Sequence, residues 1–161
     1  MTGSCVIANN EKQSRDGGPR VIVVHSRGQA IAAVAAAVRA SSPVIIASAP
    51  DAGGYVGPGW FKALIMAARE AVPGACFSSL LDCGDNVGAA LAAIRTEIEG
   101  VVFTGRTDVA WRLADIAEQH GVRFETRRPQ EVLDLGEGFF ASEENLLRRC
   151  AEFLSRGLQI S

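Results

Sequence analysis

The sequence predicts an α/β protein of one domain, built on a five-stranded parallel sheet of consecutive βα units. Three observations predict it. Five short apolar runs recur along the chain: VIVV at Val21–Val24, VIIA at Val44–Ala47, CFSSLL at Cys76–Leu81, GVVF at Gly100–Phe103 and VRFE at Val122–Glu125. Each run ends in small or polar residues and leads into an alanine-rich stretch of helical periodicity, the rhythm of strand and crossover helix. The chain has 161 residues, 48% of them hydrophobic and 21% charged, enough to bury the faces of such a sheet in one core. The expected architecture is a flavodoxin-like, Rossmann-like three-layer sandwich, with a half TIM barrel as the alternative. The open sheet is favoured because a lone half barrel would expose its inner face and both edges unless it dimerised. Strand order separates the two: 2-1-3-4-5 belongs to the sandwich and 1-2-3-4-5 to the half barrel.

Residues 1–18 are polar, with the charged string Glu11 to Asp16, and read as a disordered tail; residues 19–161 form the domain. Pro19 precedes the first strand, where its missing N–H costs little. The first unit is Val21–Ser26 as strand and Gly28–Ala40 as helix, with Ile31, Val34, Ala35 and Val38 on one stripe. Ser41-Ser42-Pro43 ends that helix, since a residue before proline avoids the helical region. The second strand leads into a glycine-rich loop from Asp51 to Gly59, then a helix over Trp60–Ala71 stopped by Pro73 and Gly74. The third unit is Cys76–Leu81, a turn over Asp82 to Asp85, and a helix over Asn86–Glu99 with Val87, Leu91, Ile94 and Ile98 inside. The fourth is Val101–Phe103 and a helix from about Asp108 to Gln119, capped by Thr107. Gly121 stops it before the fifth strand, Val122–Arg127. Glu131–Leu135 reads as a short strand or a helical turn. Ser142 caps a last helix that buries Leu146, Leu147, Cys150, Phe153 and Leu154.

The formal net charge is −2, with no basic face to recognise nucleic acid, and no apolar run reaches the ~18 residues of a membrane span. No signal-peptide pattern opens the chain, so a cytoplasmic location is expected. Of the four cysteines, Cys76 and Cys150 read as small core hydrophobes rather than bridges.

A parallel sheet gathers the carboxyl ends of its strands on one rim, where helix N-termini also favour anions. On that rim fall His25 and Arg27, Ser48 and Asp51 with the glycine loop, Asp82 to Asp85, and Thr104, Gly105 and Arg106. Asp82 is the expected acid/base, beside Asp85, which either shares a cation with it or caps the next helix. His25 is placed to act as a general base or to be packed and hydrogen-bonded. Cys83, ahead of a helix N-terminus, is a candidate thiol of lowered pKa. Gly54 and Tyr55 belong to a loop that is either a lid or a connector; it has neither the P-loop ending nor the dinucleotide spacing. The two lysines, Lys12 and Lys62, lie away from the rim, which argues against Schiff-base chemistry. Two histidines and no cysteine pair leave no three-histidine zinc site, and no resident metal is assigned.

The stretch from Ser78 to Arg106, SSLLDCGDNVGAALAAIRTEIEGVVFTGR, resembles the class II fructose-bisphosphate aldolases. In that family a strand ending Leu-Asp-His-Gly leads through a helix to a strand ending Phe-Asp-Gly-Ser. The resemblance implies barrel-type βα units, with Asp82 at the catalytic acid position and Cys83 where the family has a zinc-binding histidine. Thr104-Gly105 would match the end of the next strand.

The expected function is binding of a small anionic metabolite at the strand ends, received by Arg27, Arg106 and the N–H groups of Gly84 and Gly105. The alternatives are a metal-assisted lyase or hydrolase with Asp82 as acid/base and His25, Cys83 and Asp85 as helpers, and a non-catalytic interaction protein. No cofactor is identified by the sequence. Partners are a small molecule, with neither nucleic acid nor membrane expected, and a homodimer is compatible with either fold.

Overall fold

The computed structural model describes residues 18–138 and 140–156; the expected tail over residues 1–18 therefore lies outside the described residues except for Gly18. The chain runs β1 (Arg20–Val23), α1 (Arg27–Ala40), β2 (Val44–Ala47), α2 (Ala52–Tyr55), α3 (Gly57–Ala71), β3 (Phe77–Asp82), α4 (Val87–Arg95), β4 (Gly100–Val102), α5 (Thr107–Gln119), β5 (Arg123–Glu125), β6 (Val132–Asp134) and α6 (Glu143–Ser155), with a 3₁₀ turn at Gly136–Gly138. All strands are parallel, in one sheet of order β5-β4-β3-β2-β1-β6. Sequence neighbours are thus spatial neighbours from β1 to β5, the order of the half barrel. The expected count of five strands is corrected to six: Val132–Asp134 returns to pair with β1 on its free edge.

Side-chain alternation assigns the two faces of the sheet. Ile22, Val24, Val44, Ile46, Phe77, Leu81, Val101 and Phe103 pack with the apolar sides of the helices in one large core. Val21, Val23, Ile45, Ala47, Leu80 and Val102 form a second, smaller cluster that contains no helical residue. The helices therefore lie on one face only. This corrects the three-layer sandwich, which needs helices on both.

The second face is nonetheless closed. Its six apolar residues are between 1% and 9% exposed. The register explains how. β5 ends at Glu125, level with Val102 and Asp82 at the carboxyl rim, whereas β6 begins at Val132, level with Val21. The connection over residues 126–131 must run back from rim to floor, and it does so across the helix-free face. Arg128 and Pro129 line a pocket there together with Val21, Val23, Leu80 and Val102. A half barrel that carries its own strap has no exposed inner face to hide in a dimer.

The glycine-rich segment 51–59 is helical rather than a loop, forming α2 and the start of α3. Tertiary seating outweighs glycine's poor propensity here. A Cβ at Gly53 would stand 2.6 Å from Cys83 Sγ, so α2 approaches β3 only because that residue has none. Asn86, not Asp85, caps α4, accepting the Ala89 N–H at 2.9 Å. Thr107 is the first residue of α5 and Arg106 its N-cap, without a side-chain capping bond. Cys76 is exposed and disulfide-bonded, a correction to its core assignment, because it precedes the buried part of β3. Among the described residues no helix is long and apolar enough to cross a membrane.

Candidate functional site at the strand-end rim

Asp82 closes β3 on the helix-free face and is 6% exposed. A buried carboxylate must be paired and hydrogen-bonded to remain charged. Its Oδ1 accepts the N–H groups of Asp51 at 3.0 Å and Gly84 at 2.9 Å, and its Oδ2 accepts Arg128 Nε at 2.6 Å. Arg128 Nη2 donates to Asp82 Oδ1 at 3.1 Å and to Asp51 Oδ1 at 2.9 Å. The guanidinium thus ties the strap to the ends of β2 and β3. The hydrogen bond from Asp82 and the two nearby carboxylates hold Arg128 more firmly protonated than usual.

The backbone is shaped around this node. Asp51 adopts a left-handed conformation, φ 61°, which its short polar side chain tolerates and which aims its N–H at Asp82. Gly84 also has positive φ, +54°, and a Cβ there would overlap Asp51 Oδ1. Ser48, buried at the end of β2, accepts the Asp82 N–H at 2.9 Å and donates to the Ala49 carbonyl.

A second node lies at the end of β1. His25 Nε2 is 2.6 Å from Asp134 Oδ1, at the end of β6. The carboxylate can only accept, so Nε2 carries the proton and Nδ1, in the neutral ring, has the lone pair. The same Oδ1 accepts the Gly136 N–H at 2.7 Å. Gln29, 1% exposed, clamps the two strand ends from beneath: its Oε1 accepts the His25 N–H at 2.7 Å and its Nε2 donates to the Leu135 carbonyl at 3.0 Å.

Between the nodes lies a pocket of about 100 Å³, with Val21, Val23, Ala47, Leu80, Val102, Pro129 and Val132 as apolar walls. Asp82, Arg128 and Asp134 supply its charged groups, and Ser48 and Pro50 complete it.

Of the residues singled out in the sequence, Asp82, Ser48, Asp51 and Gly84 come together, and His25 forms the neighbouring node. Arg27, Tyr55, Asp85, Thr104 and Arg106 are exposed, and Tyr55 extends into solvent at 85% exposure. Two members of the expected anion cradle are already engaged: Gly84 N–H by Asp82, and Arg106 by Asp108 at 2.9 Å and 3.1 Å. Gly54 packs beside Asn86, and Gly105 beside the Phe103 ring, each within a distance that a Cβ would crowd. Cys83 departs from its expected chemistry. It faces the helical core, and burial, aided by the Asp82 charge, pushes its thiol up to about 12 rather than down. Arg128, Asp134 and Gln29 were not singled out. The signal available for Asp134 was its place at the end of Val132-Leu133, a short apolar run of strand character. Among the described residues no group of three or more His, Cys, Asp or Glu is arranged to hold a metal.

No protein-family model matches this chain, and no curated protein does. Among solved structures it is similar to a putative fructose-1,6-biphosphate aldolase from Coccidioides immitis, with a TM-score of 0.54 and 16% sequence identity. The match covers 67% of this chain and 45% of that one, so the chain spans less than half of the solved protein. At that identity the likeness is one of fold. The aldolase resemblance read from Ser78–Arg106 is therefore a partial one, and it lies in the succession of parallel βα units.

Proposed function

We propose that the protein binds a small carboxylated metabolite in the pocket on the helix-free face, with its apolar part between β1, β2, β3 and the strap and its carboxylate on Arg128. The observation that carries this reading is the state of Arg128. Two of its nitrogens are held by Asp82 and Asp51, while Nη1 has no partner among the described residues. A guanidinium fixed along one edge and open on the other is preorganised for a carboxylate. The walls offer apolar contact and few polar competitors, and the volume limits the ligand to a handful of heavy atoms.

Melting curves with propionate and with propionamide test the reading on wild type, Arg128→Gln and Val102→Trp. Propionate at 100 times its Kd should stabilise wild type by about 2.7 kcal/mol. The ligand-induced shift should vanish in Arg128→Gln, which removes the charge, and in Val102→Trp, which fills the pocket. Equal shifts from acid and amide, or binding that survives Val102→Trp, would refute it. The exposed Tyr55, Val56 and Trp60 at the start of α3 favour a second reading, a macromolecular contact on the rim. In that case none of the small acids would move the melting curve.

A further inference from the structure

The pocket brings together more than a binding arginine, and we infer that it is a proton-transfer site in which His25 is the base, working on a small 2-oxo acid. This rests on the reading of the pocket as a carboxylate site. Asp134, which lines the pocket, holds the His25 ring at 2.6 Å through Nε2. Nδ1 then presents a lone pair that no described residue occupies, on a ring whose side chain is 28% exposed.

The pair is held in place by groups with no other evident task. Gln29 is a buried amide that bonds both the His25 backbone and the residue after Asp134, so one side chain sets the spacing of the two strand ends. Gly136 leaves room for the ring: a Cβ there would stand 2.8 Å from His25 Nε2. Its N–H also fixes the carboxylate oxygen that the ring contacts. Such supporting bonds orient a histidine and raise its basicity.

The nearby nucleophiles are spent. Ser26 Oγ caps α1, Cys83 is buried in the helical core with its thiol protonated, and Lys62 bonds the Thr96 carbonyl. What the side chains of this rim can do is move a proton, with Arg128 facing the negative charge. In the step, the Nδ1 lone pair takes a proton from the carbon next to the ketone. The C–H electron pair becomes the C=C bond of an enolate, and the carbonyl π pair moves to oxygen. Return of a proton from the imidazolium restores the ketone, so in D₂O the net result is exchange of hydrogen for deuterium.

The test is loss of the pyruvate methyl signal in D₂O by proton NMR, with melting curves in pyruvate recorded alongside. Wild type should exchange at least tenfold faster than buffer with matched salts. His25→Asn should fall to the buffer rate while keeping its pyruvate-induced melting shift, and added imidazole should restore part of the exchange to His25→Gly. Asp134→Asn should lose tenfold or more with binding retained. A melting shift without exchange in wild type overturns the inference and leaves the binding reading standing. Neither shift nor exchange overturns both. Exchange that persists in His25→Asn shows that the base is elsewhere.

Discussion

Replacing Arg128 by methionine removes the strap's charge while keeping most of its aliphatic stem, and the structure sets the size of the effect. Three hydrogen bonds are lost. The one to Asp51 joins two half-exposed groups and is worth about 1 kcal/mol or less. The two to Asp82 matter more, because the Asp82 side chain is only 9% exposed. Removing one partner of a fully buried pair costs about 3–5 kcal/mol. Two facts lower that figure: Arg128 itself is 41% exposed, and Asp82 Oδ1 keeps the N–H groups of Asp51 and Gly84. The expected cost is then about 2–3 kcal/mol, or a fall in Tm of roughly 4–12 °C for a domain of this size. Urea denaturation gives the equilibrium value, and a cycle with Asp82→Asn isolates the pair. In the Asp82→Asn background, where no buried charge is left unpaired, Arg128→Met should cost less than about 1 kcal/mol. A coupling energy below about 0.5 kcal/mol would refute the account of Arg128 as the compensating charge for Asp82.

Gly84→Ala should destabilise by about 1–3 kcal/mol, since it combines a strained positive φ with an overlap on Asp51; a neutral result in a urea titration would mean that the two loops can separate freely. Gln29→Leu should cost at least about 2 kcal/mol, because it leaves the His25 N–H and the Leu135 carbonyl without their partner, and amide exchange at residues 133–135 should accelerate before that of β2 and β3. For Cys83, burial raises the folded-state pKa from 9.0 to about 12, so the unfolded chain loses its thiol proton first as pH rises. Stability should then decline between about pH 9 and 12, by up to ~1.4 kcal/mol per pH unit for this thiol, and the decline should be shallower in Cys83→Ala. Thiol reagents at pH 8 should label Cys83 and Cys150 only as fast as the protein opens.

What could be read from the sequence was whatever is local. Apolar runs and helical stripes placed β1 to β5 and the long helices, and the strand-end rule put Asp82, His25, Ser48 and Asp51 on one rim. What was missed depends on residues far apart in the chain. Arg128 acquires its partners only because β5 and β6 occupy opposite edges of the sheet, which forces its segment across the helix-free face. Asp134 meets His25 only because β6 pairs with β1. Gln29 sits in an alanine-rich helix where a polar residue reads as surface, and its burial is explained by two backbone groups at the tops of β1 and β6. The glycines between Asp51 and Gly59 pointed to irregular backbone, whereas packing against Cys83 and Asn86 makes helix of them. The preference for a three-layer sandwich rested on the exposure of a half barrel's inner face, and a six-residue connection removes that cost.

The return of β6 to β1 also has a kinetic consequence. From β1 to β5 every strand docks on the one made just before it, so the sheet can grow by short loop closures. β6 alone must find a partner laid down more than a hundred residues earlier, with Val132 beside Val21 and α6 against α1. Closing so long a loop is slow, and its gain comes only when strand, strap and helix arrive together. Folding should therefore show a late phase in which the segment from Arg128 onward docks on a preformed five-stranded sheet. That same segment should be the first to leave under mild denaturant, taking Asp134 from His25 and Arg128 from Asp82 in one event. Both charged nodes of the rim would then exist only in the last-assembled state, so a chain that has not finished folding has no site.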